Sequence, residues 1–378
     1  MRPANSLKLS VRELRQDREG VKTFVEFSRD IYRDNPYYVH PIYAEQVRFI
    51  LKGPFNRIGE KILLMAWRGE RPVARASFHR SFAHNEYYKT NQGFFGWFEA
   101  YDDVEAVAAL MDAGENWLKQ RGCTSMIGPM NFTIYDEIGI LMDAYDKIPA
   151  ILCLYNPPYY PRLLEQVGFV KEIDWYAYWR DKDAGIPPLM EKVWQRFQRN
   201  EKVKIRPANM KKWNEEIRAV KNIFNEAWKE NWGHVPFNDE QWENIVRELK
   251  RIVIPELALI LEAEGKPVGF CITIPDANYA IKFAEGRLFP FGIFKILWHL
   301  RKVKTTRTII MGLLPEYRRH GYDFALVYRT IVDGIRLGYT GSDCSLLAET
   351  NTRIIEGVKA MGAYHYKTYR LFRRDFRA

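Results

Sequence analysis

The stretch RTIIMGLLPEYRRHGYDFALVYRTIVDGIRLG, residues 307–338, decides the fold of this chain. It opens with a predicted strand, 307–313, whose residues from Ile309 onward are apolar apart from Gly312. A basic loop that contains Gly321 follows, and apolar residues then recur at helical spacing over 324–337. Gly338 predicts the end of that helix. A strand, a glycine loop and a helix in this order predict an α/β unit.

Working outward from this stretch, the same order of elements occurs twice. LLMAWRGERPVARASF at 63–78 and LILEAEGKPVGFCITI at 259–274 each predict a β-hairpin with a glycine turn. In each half a helix ended by glycine then leads to a strand, and a second such helix leads to an aromatic-rich strand. The four helix-ending glycines are Gly122, Gly168, Gly338 and Gly362. Most matched positions lie about 195 residues apart, with one insertion of about 20 residues in each half, so the sequence predicts an internal duplication.

Composition bounds the class of protein. Of 378 residues, 47% are apolar and 28% charged, which is typical of globular chains and excludes disordered or fibrous ones. No apolar run reaches the roughly 18 residues of a membrane span, and the first residues lack the apolar core of a secretory signal. The four cysteines form no C-x-x-C pair and the histidines show no H-x-x-x-H spacing. We therefore expect no metal site and no disulfide framework, and a reducing, cytoplasmic setting.

Each half resembles the GNAT (N-acetyltransferase-like) fold, and the whole chain is similar to tandem-GNAT acyltransferases. The loop at 318–323 resembles the family's Q/R-x-x-G-x-G/A pattern. The resemblance implies an α/β chain of two tandem GNAT-like domains, each a mixed, partly parallel sheet flanked by helices. It implies an N-terminal domain at 1–180 without a pyrophosphate loop, a connector at 181–203, and a C-terminal domain at 204–378 with the cofactor loop.

In this family the loop amides and the helix N-terminus hold the pyrophosphate of acyl-CoA. The resemblance therefore implies acyl-CoA as co-substrate, bound by Leu313, Tyr317, Arg318, Arg319, His320, Gly321, Tyr322 and Asn351. Asp323 departs from the pattern, because the family has Gly or Ala there and a carboxylate repels phosphate. The alternative is that Asp323 caps a helix in a relic of the fold that binds no cofactor.

The first half has no such loop, because Asp102, Asp103 and Glu105 stand at the matching helix start. We expect no CoA there. For catalysis, Glu349 after a strand of the second half is the candidate base, and Tyr364 or Tyr366 the candidate acid. Glu349 as a solvated strand-end carboxylate, and Asn351 as a helix cap, are the alternatives.

Two insertions distinguish the halves. In the first half, GPMNFTIYDEIGILMDAYD places Asn131, Tyr135, Asp136 and Glu137 after a strand, where they are expected to bind the acceptor, or else to hold the turns of a surface loop.

The second-half insertion carries much of the net charge of +10. Residues 286–322 hold eight basic residues and one acid, Glu316. The part at 286–304 is also rich in aromatic residues, and apolar residues at 293, 296, 297, 300 and 303 predict one helical face. A basic helix of this kind indicates contact with a membrane surface, or a lid packed on the protein.

These features favour an N-acyltransferase that moves an acyl group from acyl-CoA or acyl carrier protein to an amine. The apolar, basic insertion favours a lipid-like acceptor, as in ceramide-like lipid synthesis. A non-catalytic GNAT relic that binds a ligand or lipid surface, and a Fem-like aminoacyl transferase, are the alternatives. Nucleic acid is not an expected partner, since the aromatic segments follow the alternation of buried strands.

Overall fold

A computed structural model describes residues 7–250 and 252–377. The elements of the first half are, in chain order, β1 (Leu9–Glu13), α1 (Arg18–Glu26), α2 (Ser28–Ile31), α3 (Tyr43–Lys52), α4 (Phe55–Ile58), β2 (Gly59–Arg68), β3 (Arg71–Ser81), α5 (Phe82–Tyr88), β4 (Gln92–Ala100), α6 (Val104–Lys119), β5 (Ser125–Gly128), β6 (Ile140–Leu141), α7 (Tyr160–Gln166) and β7 (Val170–Asp181).

The elements of the second half are α8 (Pro188–Gln198), β8 (Val203–Pro207), α9 (Trp213–Ala227), α10 (Asp239–Leu249), β9 (Ala258–Ala263), β10 (Lys266–Pro275), α11 (Asn278–Ile281), α12 (Gly292–Leu300), β11 (Thr305–Leu313), α13 (Tyr322–Arg336), β12 (Gly341–Ala348), α14 (Thr352–Ala360) and β13 (Tyr364–Asp375). The predicted mixed α/β class is confirmed. In the described part of the chain, no helix combines the length and apolar character needed to cross a bilayer.

The chain forms two compact units that exchange segments. The first unit contains the chain through Trp175, the segment Asn278–His299, and the residues from Lys367 onward. The second contains Tyr176–Ala277 and Leu300–Tyr366. Strands β7 and β13 are therefore each divided between the units, and the second-half insertion packs on the first unit.

In the first unit the strand order is β1-β2-β3-β4-β5-β13, and β6 pairs with β13. Strands β4 and β5 pair in parallel, whereas the pairs β1–β2, β2–β3, β3–β4, β5–β13 and β6–β13 are antiparallel. Successive side chains of β2 point to opposite faces of the sheet, and both faces are buried. Leu63 and Met65 pack with α1 and α3, whereas Ile62 and Leu64 pack with α6. Each face of the sheet is thus covered by helices.

In the second unit the order β12-β11-β10-β9-β8 repeats this plan, with β11 and β12 parallel. Helices α8 and α13 cover one face, where the rings of Trp194 and Tyr328 stack at 4.9 Å. Helix α9 covers β10 and β11. The glycines Gly122, Gly168, Gly338 and Gly362 all have φ between 75° and 87°, and they follow matching helices. A left-handed glycine ends each of these helices, as the duplicated sequence predicts.

Candidate active site

A split in the sheet of the second unit forms the candidate site. Strands β11 and β12 pair from Thr305↔Gly341 to Thr308↔Cys344, and no pairing between them continues beyond that point. The register of β11 against β10 shifts at the same place, between Ile272 and Thr273. A β-bulge bends its strand, so residues 309–313 separate from 345–348. The edges of two parallel strands therefore face a gap at their carboxyl ends, where ligands of α/β sheets bind.

The loop 314–321 joins the carboxyl end of β11, at the mouth of this split, to the N-terminus of α13. Gly321 is the N-cap residue with a φ of 79°, and no side chain caps the helix. Arg319, two residues before it, also has a left-handed φ, of 69°. The first N–H groups of a helix have no partner within the helix, and they carry the positive end of its dipole. This end of α13 can therefore receive an anionic group such as phosphate.

The matching split of the first unit is filled by the chain itself. Strands β4 and β5 pair only from Gln92↔Ser125 to Phe94↔Ile127. Beyond that point, the N–H of Met130 donates to the oxygen of Phe95 at 2.7 Å. The Oδ1 of Asn131 accepts from the N–H of Trp97 at 2.8 Å.

The matching helix N-terminus is occupied as well. Oδ1 of Asp103 accepts from the N–H of Ala106 at 3.1 Å and caps α6. Arg68 binds both oxygens of that carboxylate, and this hydrogen bond holds the pKa of Asp103 below its ordinary value. An internal anion thus fills the position that the second unit leaves open.

The residues predicted to bind the cofactor lie around the open mouth. Leu313 is buried at the end of β11, and Tyr317 packs against the apolar cluster that contains it. Arg318 donates to the oxygen of Ala227 at 2.7 Å, which fixes the loop to the end of α9.

The rest of the loop is more open to solvent. Arg319 and His320 are exposed, and the rings of His320 and Tyr322 stack at 5.4 Å. Asn351 is the N-cap residue of α14, yet its side chain makes no capping hydrogen bond. Its amide therefore remains available at the same end of the sheet.

The two predicted catalytic residues lie far apart. Glu349 follows the carboxyl end of β12, half-buried, at the mouth of the split. Tyr364 is bound to Asp181, and the next residue, Lys182, donates its N–H to Thr340 just before β12 begins. The eight residues of β12 span about 26 Å, so the structure does not bring Tyr364 to Glu349.

The residues predicted to bind the acceptor cluster inside the filled split of the first unit. Asn131 is buried, and its Nδ2 donates to Glu137 at 2.9 Å. Asp136 accepts from Thr133, and burial raises the pKa of its carboxyl to about 7, although part of its surface remains exposed. Tyr135 also lies in this segment, where its N–H donates to Oγ1 of Thr133 at 3.3 Å. These contacts hold the segment together, and acceptor binding by its residues stays a prediction.

A buried polar cluster at the base of the open split was not found from the sequence. Asp343 is fully buried and accepts from the hydroxyl of Tyr366 at 2.6 Å and from Ser345. Nε of Arg307 lies 3.4 Å from its Oδ1. Arg307 and Asp343 are opposite each other in the register, one pair before the strands separate. The only sequence signal is a charged residue within each of the two strands.

Comparison with known proteins places the chain in a family. It is 31% identical over 373 residues to Protein YghO of Escherichia coli, covering 95% of this chain and 94% of the relative. The chain belongs to the YghO family. It is also 29% identical over 363 residues to a protein of Caulobacter vibrioides named bacterial ceramide synthase, with 94% of each chain covered. No protein-family model matches the sequence.

Solved structures agree with the fold. A tandem GNAT protein from the clavulanic acid biosynthesis pathway superposes with a TM-score of 0.58 at 11% identity, covering 97% of this chain and 98% of that one. This member of the YghO family is thus a tandem GNAT-fold protein, as the resemblance implied. Among the described residues, no group of three or more His, Cys, Asp or Glu side chains is placed to hold a metal ion.

Proposed function

We propose that the protein is an N-acyltransferase that binds acyl-CoA in the second unit and transfers the acyl group to a lipophilic amine. The observation that carries the proposal is the difference between the two splits. The split of the second unit is open with an uncapped helix N-terminus at its mouth, whereas that of the first unit is filled by Met130 and Asn131 and capped by Asp103.

The residues at the open split fit a CoA thioester. The N–H groups of Gly321 and the first turn of α13 would receive the pyrophosphate, and the exposed Arg319 adds positive charge beside them. The separated edges of 309–313 and 345–348 offer backbone N–H and C=O groups to the amide-bearing arm of the cofactor. Asn351 lies at the same end of the sheet and would contact that arm.

The reaction requires little covalent chemistry from the protein. The amine nitrogen attacks the thioester carbonyl carbon, a C–N bond forms, the C–S bond breaks, and CoA leaves as the thiolate, which takes a proton. We propose that a backbone N–H at 312–314 stabilises the developing oxyanion. Glu349, half-buried at the mouth, would accept the proton from the amine.

The acceptor is proposed from chemistry and likeness together. Ceramide is the amide of a fatty acid and a long-chain amino alcohol, and the Caulobacter relative is named for its synthesis. We therefore propose a long-chain amino alcohol as acceptor and a fatty acyl thioester as donor. The four cysteines are free thiols, which supports a reducing, cytoplasmic setting for the reaction.

Calorimetric titration with an acyl-CoA tests the donor site. The wild-type chain is expected to bind, and Arg319→Glu is expected to weaken binding because it places a second carboxylate beside the phosphates. Glu356→Gln is the matched control, since Glu356 is an exposed residue of α14 with no proposed role.

Incubation of the protein with a fatty acyl-CoA and a long-chain amino alcohol, followed by mass spectrometry, tests the transfer. The expected products are the amide and free CoA, and Glu349→Gln should reduce their rate of formation at least tenfold. A protein that binds no CoA and forms no amide from an acyl carrier protein thioester either would instead be the non-catalytic relic. Binding without amide formation from any long-chain amine would contradict the proposed acceptor alone.

A further inference from the structure

The segment before and within α12 exposes an unusual amount of apolar surface. Five large side chains within ten residues are more than half exposed: Phe289 at 79%, Phe291 at 69%, Phe294 at 67%, Trp298 at 61% and Leu297 at 53%. We call these five residues, together with Arg287 and Lys295, the aromatic–basic surface. Exposed apolar residues scattered singly are ordinary, but a contiguous patch marks an interaction site.

The inner side of the segment is fixed to the first unit. The oxygen of Gly286 accepts from the N–H of Tyr43 at 3.1 Å, and Nδ2 of Asn278 donates to Pro149 at 2.9 Å. A Cβ at Gly286 would lie 2.3 Å from the ring of Tyr43, so the segment packs closely there. The patch is therefore presented by a firmly held segment.

The helix itself is polarised between these two sides. Ile293 and Ile296 are half-buried, whereas Phe294, Leu297 and Trp298 point outward. The sequence predicted that Leu297 and Val303 would share the packed face. Instead, α12 ends at Leu300, Val303 is buried beyond it, and Leu297 faces solvent.

Positive charge predominates around the patch. Arg287 and Lys295 are exposed, residues 286–299 contain no Asp or Glu, and the exposed Glu285 directly precedes them. Two copies of the chain meeting through this patch would bring these like charges together, which opposes self-association. A partner that is anionic at its surface and apolar below that surface matches both the basic and the apolar residues of the patch. Aromatic side chains also favour such an interface.

We propose that the aromatic–basic surface docks on an anionic lipid bilayer, with its aromatic side chains among the acyl chains and Arg287 and Lys295 at the phosphate level. The inference does not rest on the proposed enzymatic reaction, because it uses only residues of the first unit and needs no cofactor.

Flotation of the full chain with lipid vesicles tests the proposal. Binding is expected to vesicles that contain phosphatidylglycerol, to be weaker with phosphatidylcholine alone, and to fall as salt is added. Replacement of Arg287 and Lys295 by Ala should weaken binding by about fivefold for each charge removed. The triple variant Phe291→Ser, Phe294→Ser, Trp298→Ser should abolish binding at low salt, because the apolar contacts are lost.

The first unit supplies a matched control. Helix α5 also exposes apolar side chains, Phe82 at 44% and Tyr87 at 43%, so Phe82→Ser with Tyr87→Ser should leave vesicle binding unchanged. The altered side chains are exposed in every variant, and melting curves verify that each one is folded. Equal binding by wild type and the triple variant would overturn the proposal. A wild-type dimer that the triple variant abolishes, with no vesicle binding, would overturn it in favour of a second copy. A triple variant that no longer binds vesicles but still transfers an acyl group to a soluble amine would support the proposal.

Discussion

Asp323 separates the loop at 318–323 from the pattern of the GNAT family. It lies in the first turn of α13, and it has no hydrogen bond or ion pair within the described residues. The N-cap is Gly321, so the side chain of Asp323 does not perform the capping role that was the alternative interpretation. Its carboxylate adds negative charge where a pyrophosphate is proposed to bind.

Asp323→Gly is therefore expected to tighten CoA binding by about 1 kcal/mol, or roughly fivefold, because a repulsion at a partly exposed site is removed. Titration calorimetry measures the effect, with Glu356→Gln as the control. If wild type binds CoA and Asp323→Gly does not, Asp323 itself contacts the ligand and the proposed phosphate position is wrong.

His79 should make stability depend on pH. It is fully buried on β3 among the rings of Phe55, Phe94 and Phe132, and burial lowers its pKa from 6.5 to about 3. The unfolded chain then binds a proton that the folded chain excludes. Above pH 6.5 His79 is neutral in both states and does not lower the free energy of unfolding. As the pH falls from 6.5 toward 3, the free energy of unfolding decreases by about 1.4 kcal/mol per pH unit.

Urea unfolding of wild type and His79→Leu at pH 7 and pH 5 checks this. The wild-type free energy of unfolding should fall between these values by about 2 kcal/mol more than that of the variant. His234, whose pKa burial lowers to about 4, titrates in both proteins and cancels in the comparison. Equal falls in the two proteins would show that His79 is not a titrating group.

The buried cluster at the base of the open split should be costly to break. Asp343→Asn removes the buried carboxylate that faces the guanidinium of Arg307, and should lower the free energy of unfolding by about 3 kcal/mol. Tyr366→Phe removes one hydrogen bond and should cost about 1 kcal/mol. Denaturant unfolding measures both, with the exposed Asp183→Asn as control. A loss as small as that of the control would mean that the contact between Asp343 and Arg307 contributes little to stability.

At the scale of elements, α13 has one glycine at its N-cap and one in its interior, and the two have opposite roles. Gly321 has a left-handed φ and a Cβ there would lie 3.1 Å from Val193, whereas Gly334 lies in the helix with nothing within 4 Å of its Cβ position. Gly334→Ala should raise the free energy of unfolding by about 0.5–1 kcal/mol, and Gly321→Ala should lower it by a similar amount. Thermal unfolding tests the pair, and stabilisation by both substitutions would contradict the left-handed cap.

The sequence predicted the elements better than the splits. The hairpins, the helix-ending glycines and the loop at 318–323 have local signals, because turn geometry and helical spacing depend on residues that are close together in the sequence. The filled split depends on a contact between Asn131 and Trp97, 34 positions apart. The buried pair of Arg307 and Asp343 depends on strand register. Neither has a local pattern, so neither could be predicted from one sequence.

At the scale of the whole molecule, the exchange of segments ties the two halves of the sequence together. The first unit needs residues from Lys367 onward, because β13 pairs with β5 through Phe372↔Gly128 and with β6 through Tyr369↔Leu141. The duplicated sequence predicts two halves, but a sequence repeat does not indicate that segments of the second half pack in the first unit.

A fragment of residues 1–175 is therefore expected not to fold alone, since β5 would lack its antiparallel neighbour. Circular dichroism with urea should show no cooperative transition for the fragment and a cooperative one for the full chain. Addition of residues 364–378 through a flexible linker should restore the transition. A cooperative fragment without that strand would show that β13 is dispensable for the first unit.

The same exchange imposes a delay during synthesis. Strand β5 leaves the ribosome about 245 residues before its partner on β13 is made, which corresponds to roughly 12–50 s at 5–20 residues per second. Throughout that interval the nascent chain carries an unpaired strand edge, which other chains can pair with. Productive folding in the cell should therefore depend on chaperones that shield this edge until translation passes Phe372.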